Sequence, residues 1–268
     1  MKKTTSILSA LFISLLFCGS AAAQDQIAIP LSNPGQPGKL RLGLVRGSIS
    51  VSGYDGNEVI IRYNNESKKE EEQKVTEDGL RRITNNATGF EVTEDNNEVK
   101  INGITPMKEI NFDLSVPRNF SLKLSLVNGE DITIENVNGE MEISHINGAV
   151  ALVNVSGSAS VNTVNGDITA NFSRVSEGQP MAFTTLNGDI DVTLPDNAQL
   201  TAKMRSEWGD IYTDFDMDIN RSGTNRNDNS DSGVFKVSIN NWIYGDINGG
   251  GAEYLFKSMK GDIYIRKK

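Results

Sequence analysis

The sequence predicts an all-β fold, a single-stranded parallel β-solenoid with a β-rich N-terminal segment, from three observations. The first is a recurring phrase: Val127-Asn128-Gly129, Val137-Asn138-Gly139, Ile146-Asn147-Gly148, Val155-Ser156-Gly157, Val164-Asn165-Gly166-Asp167-Ile168 and Leu186-Asn187-Gly188-Asp189-Ile190. The second is its period, since Gly139, Gly148, Gly157 and Gly166 are nine residues apart. The third is the apolar pattern around each glycine, two before, two after and four after, of which the last two alternate as in a half-buried strand. Fixed self-similarity of this kind is the mark of a repeat architecture.

Asn-Gly ordinarily signals a two-residue hairpin. Here a hairpin would pair Val164 with Asp167 and send Ile168 to the opposite face, mixing core with solvent. An outward corner keeps the apolar residues inside and Asn and Asp outside. The odd period agrees, because nine residues of unbroken strand would invert the faces at every repeat. A glycine in the left-handed region absorbs the extra residue, where a side chain costs about 1–2 kcal/mol. On this basis the residues two before and two after each glycine are expected to point inward. Gly129 to Gly139 is ten residues, and the insertion falls between Gly129 and Ile132 as a bulge.

The elements follow in chain order. Lys2 and Lys3, the apolar run Ile7 to Phe17 and Ala21-Ala22-Ala23 predict a signal peptide over residues 1–23. That run is too short for the roughly twenty residues that span a bilayer. Cys18 follows Phe17, where a lipidated cysteine takes a small residue, so lipidation is not expected. Residues 24–38, with Pro30, Pro34 and Pro37, read as an irregular lead-in to one domain over residues 39–268. Leu40-Leu42-Leu44, Ile49-Val51 and Val59-Ile61-Tyr63 alternate as strands around a turn at Tyr54-Asp55-Gly56-Asn57. Ser67 to Lys74 is a solvated charged run, after which Phe90-Val92, Val99-Ile101 and Ile110-Phe112-Leu114-Val116 resume strand alternation.

Beyond Gly166 the spacings widen to 22 and 21 residues, as if one Asn-Gly corner were replaced by a longer one. Trp208-Gly209-Asp210-Ile211, Tyr244-Gly245-Asp246-Ile247 and Lys260-Gly261-Asp262-Ile263 are corner variants without Asn. Glu207, two before Gly209, breaks the apolar rule. Residues 220–233 are too polar to pack and predict a mobile loop. Stacked coils share one aliphatic interior, and the crossover preference of parallel strands predicts a right-handed β-helix.

The formal charge is −9, and removal of residues 1–23 takes away two lysines and no acid, leaving −11. An acidic, Cys-free mature chain argues against nucleic acid and anionic lipid as partners and has no disulfide framework. No later segment is apolar enough to be an integral membrane helix. Export to the periplasm, the outer cell surface or the medium is expected.

Together, Gly47-Ser48-Ile49-Ser50-Val51-Ser52-Gly53, Leu114-Ser115-Val116-Pro117 with its echo Val192-Thr193-Leu194-Pro195, and the serial Asn-Gly-Asp-Ile corners resemble the bacterial putative-adhesin domain family. The resemblance covers roughly residues 39–268. It implies an exported β-solenoid with an adhesin-like role and transfers no catalytic residue.

Asp167, Asp189, Asp210, Asp246 and Asp262 each follow a glycine. Aligned on stacked coils they would form a carboxylate ladder able to hold Ca²⁺, or they would accept hydrogen bonds from turn N–H groups. Calcium-binding rolls use paired glycines and a second spaced Asp, absent from these repeats, so no metal or cofactor is expected. His145, the one histidine, lies outside the inward set and reads as a surface residue; Glu70-Glu71-Glu72 reads as solvated charge. Trp208, Tyr212, Trp242, Tyr244 and Tyr264 gather in the C-terminal third as a candidate surface for a glycan or a surface protein. Covering the final coils against strand addition is their structural alternative.

The expected function is a non-enzymatic, adhesin-like binding or structural protein of the envelope. Its rivals are a polysaccharide-degrading β-helix enzyme, which needs grouped acids in a cleft, and a periplasmic structural or stress-related protein without a glycan ligand.

Overall fold

The computed structural model describes residues 25–65, 89–103, 109–221 and 242–268, and their regular structure is entirely β-strand. The expected signal peptide, the charged run at 67–74 and most of the polar loop at 220–233 lie outside the described residues. In chain order the strands are β1 (Asp25–Pro30), β2 (Gly38–Tyr54), β3 (Glu58–Asn65), β4 (Phe90–Asp95), β5 (Glu98–Gly103), β6 (Ile110–Pro117), β7 (Phe120–Glu135), β8 (Asn138–Asn147) and β9 (Val150–Asn162). They continue as β10 (Ile168–Val175), β11 (Met181–Asn187), β12 (Ile190–Leu194), β13 (Leu200–Ser206), β14 (Ile211–Thr213), β15 (Met217–Arg221), β16 (Ile243–Ile247), β17 (Ala252–Lys260) and β18 (Ile263–Lys267).

The chain is a parallel β-solenoid whose coil has two sides. On the first side the neighbours run β4, β5, β2, β7, β8, β9, β11, β17, β13, β16, β15. On the second they run β1, β3, β6, β2, β7, β9, β10, β12, β18, β14. β2, β7 and β9 bend midway and serve both sides. The nonapeptide is therefore half a coil, and each strand pairs one full coil away: Ile168 lies beside Val150 and Ile190.

Alternation puts both sides' inward residues into one core. Met141, Ile143, Val150, Leu152, Ala159, Val161, Ile168 and Ala170 are all at most 3% exposed. The expected bulge is present, with Gly47 opposite Gly129 but Ile49 opposite Ile132.

The inward rule needs correction at one edge. Where the turn sits on Asn136 and Asn154, both in the left-handed region with φ of 57° and 53°, the following Val137 and Val155 are buried as expected. At the opposite edge strand alternation persists to the third residue before glycine, and the corner begins only at the residue directly before it. Leu126, His145, Thr163, Thr185 and Ser258 consequently face in, while Val127, Ile146 and Leu186 are 36–43% exposed. Glu207 occupies this outward place, which explains its charge.

Stacking order also departs from chain order at both ends. β2 lies between the coil of β5 and β6 and the coil of β7. Likewise β17 and β18 lie between the coil of β11 and β12 and that of β13 and β14. The terminal coils are thus wedged between coils made elsewhere in the chain, and antiparallel strands flank three of the four sheet ends. Part of the lead-in expected to be irregular, Asp25–Pro30, is β1, because β3 offers an edge and the prolines begin only at Pro30.

Candidate binding surface

Each corner at the Asn-Gly edge carries chemistry at fixed offsets from glycine. Three before, an inward hydroxyl donates to a glycine carbonyl one coil away: Thr163 to Gly148 at 3.1 Å, Thr185 to Gly166 at 3.0 Å, Ser258 to Gly188 at 3.0 Å and Ser206 to Gly261 at 2.8 Å. These part-buried carbonyl acceptors are thereby paired. The Ser/Thr column was visible three residues before glycine and carried no expectation.

His145 stands in the same inward column and is fully buried, contrary to the surface assignment. Its Nδ1 lies 2.9 Å from the Leu126 carbonyl oxygen and its Nε2 2.9 Å from that of Glu130. The residue is a corner fastener, and solvent has no access to it.

Directly before glycine, an amide ladder runs along the edge. Asn147 Nδ2 donates to Asn128 at 2.7 Å, Asn165 to Asn147 at 2.8 Å and Asn187 to Asn165 at 2.7 Å. Asn is selected here because one amide both donates and accepts at a one-coil spacing. Directly after glycine, backbone N–H groups donate to carboxylates on the neighbouring coil: Asp189 to Asp167, Asp262 to Asp189 and Asp210 to Asp262, each at 2.8 Å. Asp131, delivered by the bulge, accepts from Ala149 N–H in the same manner. Asp246 lies elsewhere, accepting from Thr201 Oγ1 at 2.6 Å. Asp131, Asp167, Asp189 and Asp262 are therefore employed as turn acceptors.

The five candidate aromatics divide among three surfaces. Tyr212 and Tyr264 are register partners on the outer face of the second side, with rings stacked 5.0 Å apart at 11°. Tyr264 Oη donates to Asp262 at 3.0 Å, and the Arg266 guanidinium lies 5.1 Å from its ring while holding Asp191 at 2.8 Å. The hydrogen bond to Asp262 holds the Tyr264 phenol above its ordinary pKa of 10, and the negative charge of Asp210 does the same for Tyr212. Trp242 and Tyr244 lie outside the first side, where Lys203 Nζ is 5.3 Å from the indole and 5.8 Å from the phenol ring, and Arg205 lies 5.6 Å from the indole. Trp208, directly before Gly209 on the edge between the sides, is 78% exposed.

Among the described residues, no group of three or more His, Cys, Asp or Glu side chains is placed to hold a metal ion. No helix there is long and apolar enough to cross a membrane.

Comparison with known proteins adds a family. Residues 43–266 match the model of the family described as Toastrack DUF4097. A crystal structure of a putative cell adhesion protein from Clostridium sporogenes ATCC 15579 has 15% sequence identity and a TM-score of 0.46, with 92% of this chain and 100% of that chain covered. No curated protein matches the chain.

Proposed function

We propose that this chain, which belongs to the Toastrack DUF4097 family, is an exported, non-enzymatic, adhesin-like binding protein of the bacterial envelope. The observation that carries the proposal is the stacked Tyr212–Tyr264 pair on a flat outer face, flanked by Arg266 and Asp262. Planar aromatic surface beside fixed charged donors and acceptors suits the apolar face and hydroxyl rim of a sugar ring, or a protein loop of the same character. Trp208, Trp242 and Tyr244 extend the candidate surface around the same end of the solenoid.

A polysaccharide-cleaving role would require free carboxylates converging on a bond. Asp167, Asp189 and Asp262 instead accept N–H groups along one edge, and His145 is enclosed, which favours binding over cleavage.

Glycan-array binding combined with a reducing-end assay on the same panel separates the classes. Binding without cleavage that is weakened at least about tenfold by Tyr212→Ala with Tyr264→Ala supports the proposal. Release of reducing ends identifies an enzyme, and neither binding nor cleavage leaves a structural envelope protein.

A further inference from the structure

We infer that the Asn-Gly edge and the valley beside it form a self-complementary surface through which two copies of this chain dimerise. The outward place two before each edge glycine is aliphatic on six consecutive coils: Val45, Val127, Ile146, Val164, Leu186 and Met259. Five of these are 36–43% exposed and Val164 is half-buried. Strand alternation places them in register along the solenoid, so they form one straight ridge at the ~4.8 Å strand spacing. Solvent alone gives no reason to hold an exposed position apolar coil after coil, since single surface hydrophobics are common and a contiguous row is not.

A valley runs parallel to the ridge on the first side of the coil. Its floor is made of the small outward residues Gly43, Ser125, Ser144, Asn162 and Thr184. Two grooves of about 360 and 570 Å³ occupy its two halves, and Val164, Leu186 and Met259 form one wall of the larger. Ridge and valley lie side by side over the same coils. A two-fold axis parallel to the solenoid, in the plane between the copies, therefore lays each ridge in the other copy's valley, the isologous arrangement of a closed dimer.

Area and charge favour this occupant. The ridge presents on the order of 400 Å², so two ridges packed on each other alone would bury about 800 Å², below the ~1,000 Å² of a specific interface. Seating each ridge in a valley adds the walls and floor and brings the total to about 1,200–1,600 Å². The valley is lined by Arg41, Lys100, Lys123 and Lys257 against Glu142 and Glu207, with Lys123 held by Glu142 at 2.6 Å and Lys100 by Glu98 at 3.6 Å, so it keeps a basic excess, whereas Asp167, Asp189 and Asp262 follow the ridge on its other flank. Docking brings these opposite charges together in a molecule otherwise acidic enough to repel its copies.

Sedimentation velocity of the purified protein over a concentration series tests the proposal. The expected result is a monomer–dimer equilibrium that Ile146→Lys with Leu186→Lys weakens at least about tenfold, while Ala151→Lys with Thr169→Lys, on the outer face of the second side, leaves it unchanged. Ile146→Ser with Leu186→Ser should weaken it in the same direction and serves as the variant of record if the lysines disturb the circular dichroism spectrum. A wild type that remains monomeric to about 200 μM, or ridge variants that dimerise like the wild type, overturns the proposal.

Discussion

Gly166 sits against Gly148 so closely that a Cβ built on it would stand 2.0 Å from the Gly148 carbonyl oxygen. Gly157 meets Gly139 in the same way at the opposite edge, at 2.1 Å and with φ of 114°. The corners thus stack backbone on backbone, and a side chain there strains its own residue and displaces its neighbour. Gly166→Val should lower stability by at least about 1–2 kcal/mol, read as a fall in the melting temperature. An unchanged melting curve would count against the corner geometry.

The amide ladder makes Asn165 both donor to Asn147 and acceptor from Asn187. Asn165→Ala removes both bonds and should cost about 1–2 kcal/mol in chemical denaturation, with the slope unchanged because the coil remains folded. Asn165→Asp should cost at least as much, since a carboxylate cannot donate to Asn147.

The wedged C-terminal coil predicts an unusual order of unfolding. β17 is hydrogen-bonded to β11 on one side and β13 on the other, and β18 likewise joins β12 to β14. Native-state hydrogen exchange should therefore find β17 and β18 protected like the central coils, although they end the chain. Fraying of Ile263–Lys267 ahead of β14 would contradict the assigned stacking.

Glu94 ties the lead-in to β4: it accepts from Ser32 N–H at 2.9 Å, Ser32 Oγ at 2.8 Å and Asn97 N–H at 3.0 Å. The Ser32 backbone bond leads in lowering its pKa below the usual 4.5. A depressed folded value means the stabilisation is present above the unfolded value and is lost as pH falls through the folded one. The Glu94 contribution should be level from neutral down to about pH 5 and decline below about pH 4.5, so Glu94→Gln should make the acid limb of the stability curve shallower. Denaturant midpoints collected from about pH 3 to 7 measure both slopes.

Much of the coil was legible because its inward residues obey one alternation: Ile168 and Ala170 or Ile190 and Val192 declare a strand without tertiary information. Glu207 marked where that legibility stopped. A nonapeptide treated as a whole repeat hides the fact that alternate glycines belong to opposite edges, so Val137 and Ile146 look equivalent although one is buried and the other exposed. His145 was misplaced for the same reason. The wedged positions of β2 and β17 were illegible on physical grounds, since a strand edge accepts any partner with matching alternation and local sequence cannot say which coil supplies it. Among the aromatics, the positions three after glycine placed Tyr212 and Tyr264 together, whereas Trp242 and Tyr244 went to the other side because β16 runs antiparallel to β13.

Disulfide trapping tests the two-sided coil most directly, in a chain whose one cysteine, Cys18, is first replaced by serine. Ala151 and Thr169 are outward register partners one full coil apart, at a distance a disulfide spans. Ser160 and Thr169 hold the same place in successive nonapeptides but lie on opposite sides of the coil. The Ala151→Cys/Thr169→Cys protein should oxidise to an intramolecular disulfide with its fold retained, and the Ser160→Cys/Thr169→Cys protein should keep two free thiols. Cross-linking of the second pair and not the first would mean that neighbouring nonapeptides pair directly, and the two-sided solenoid would be wrong.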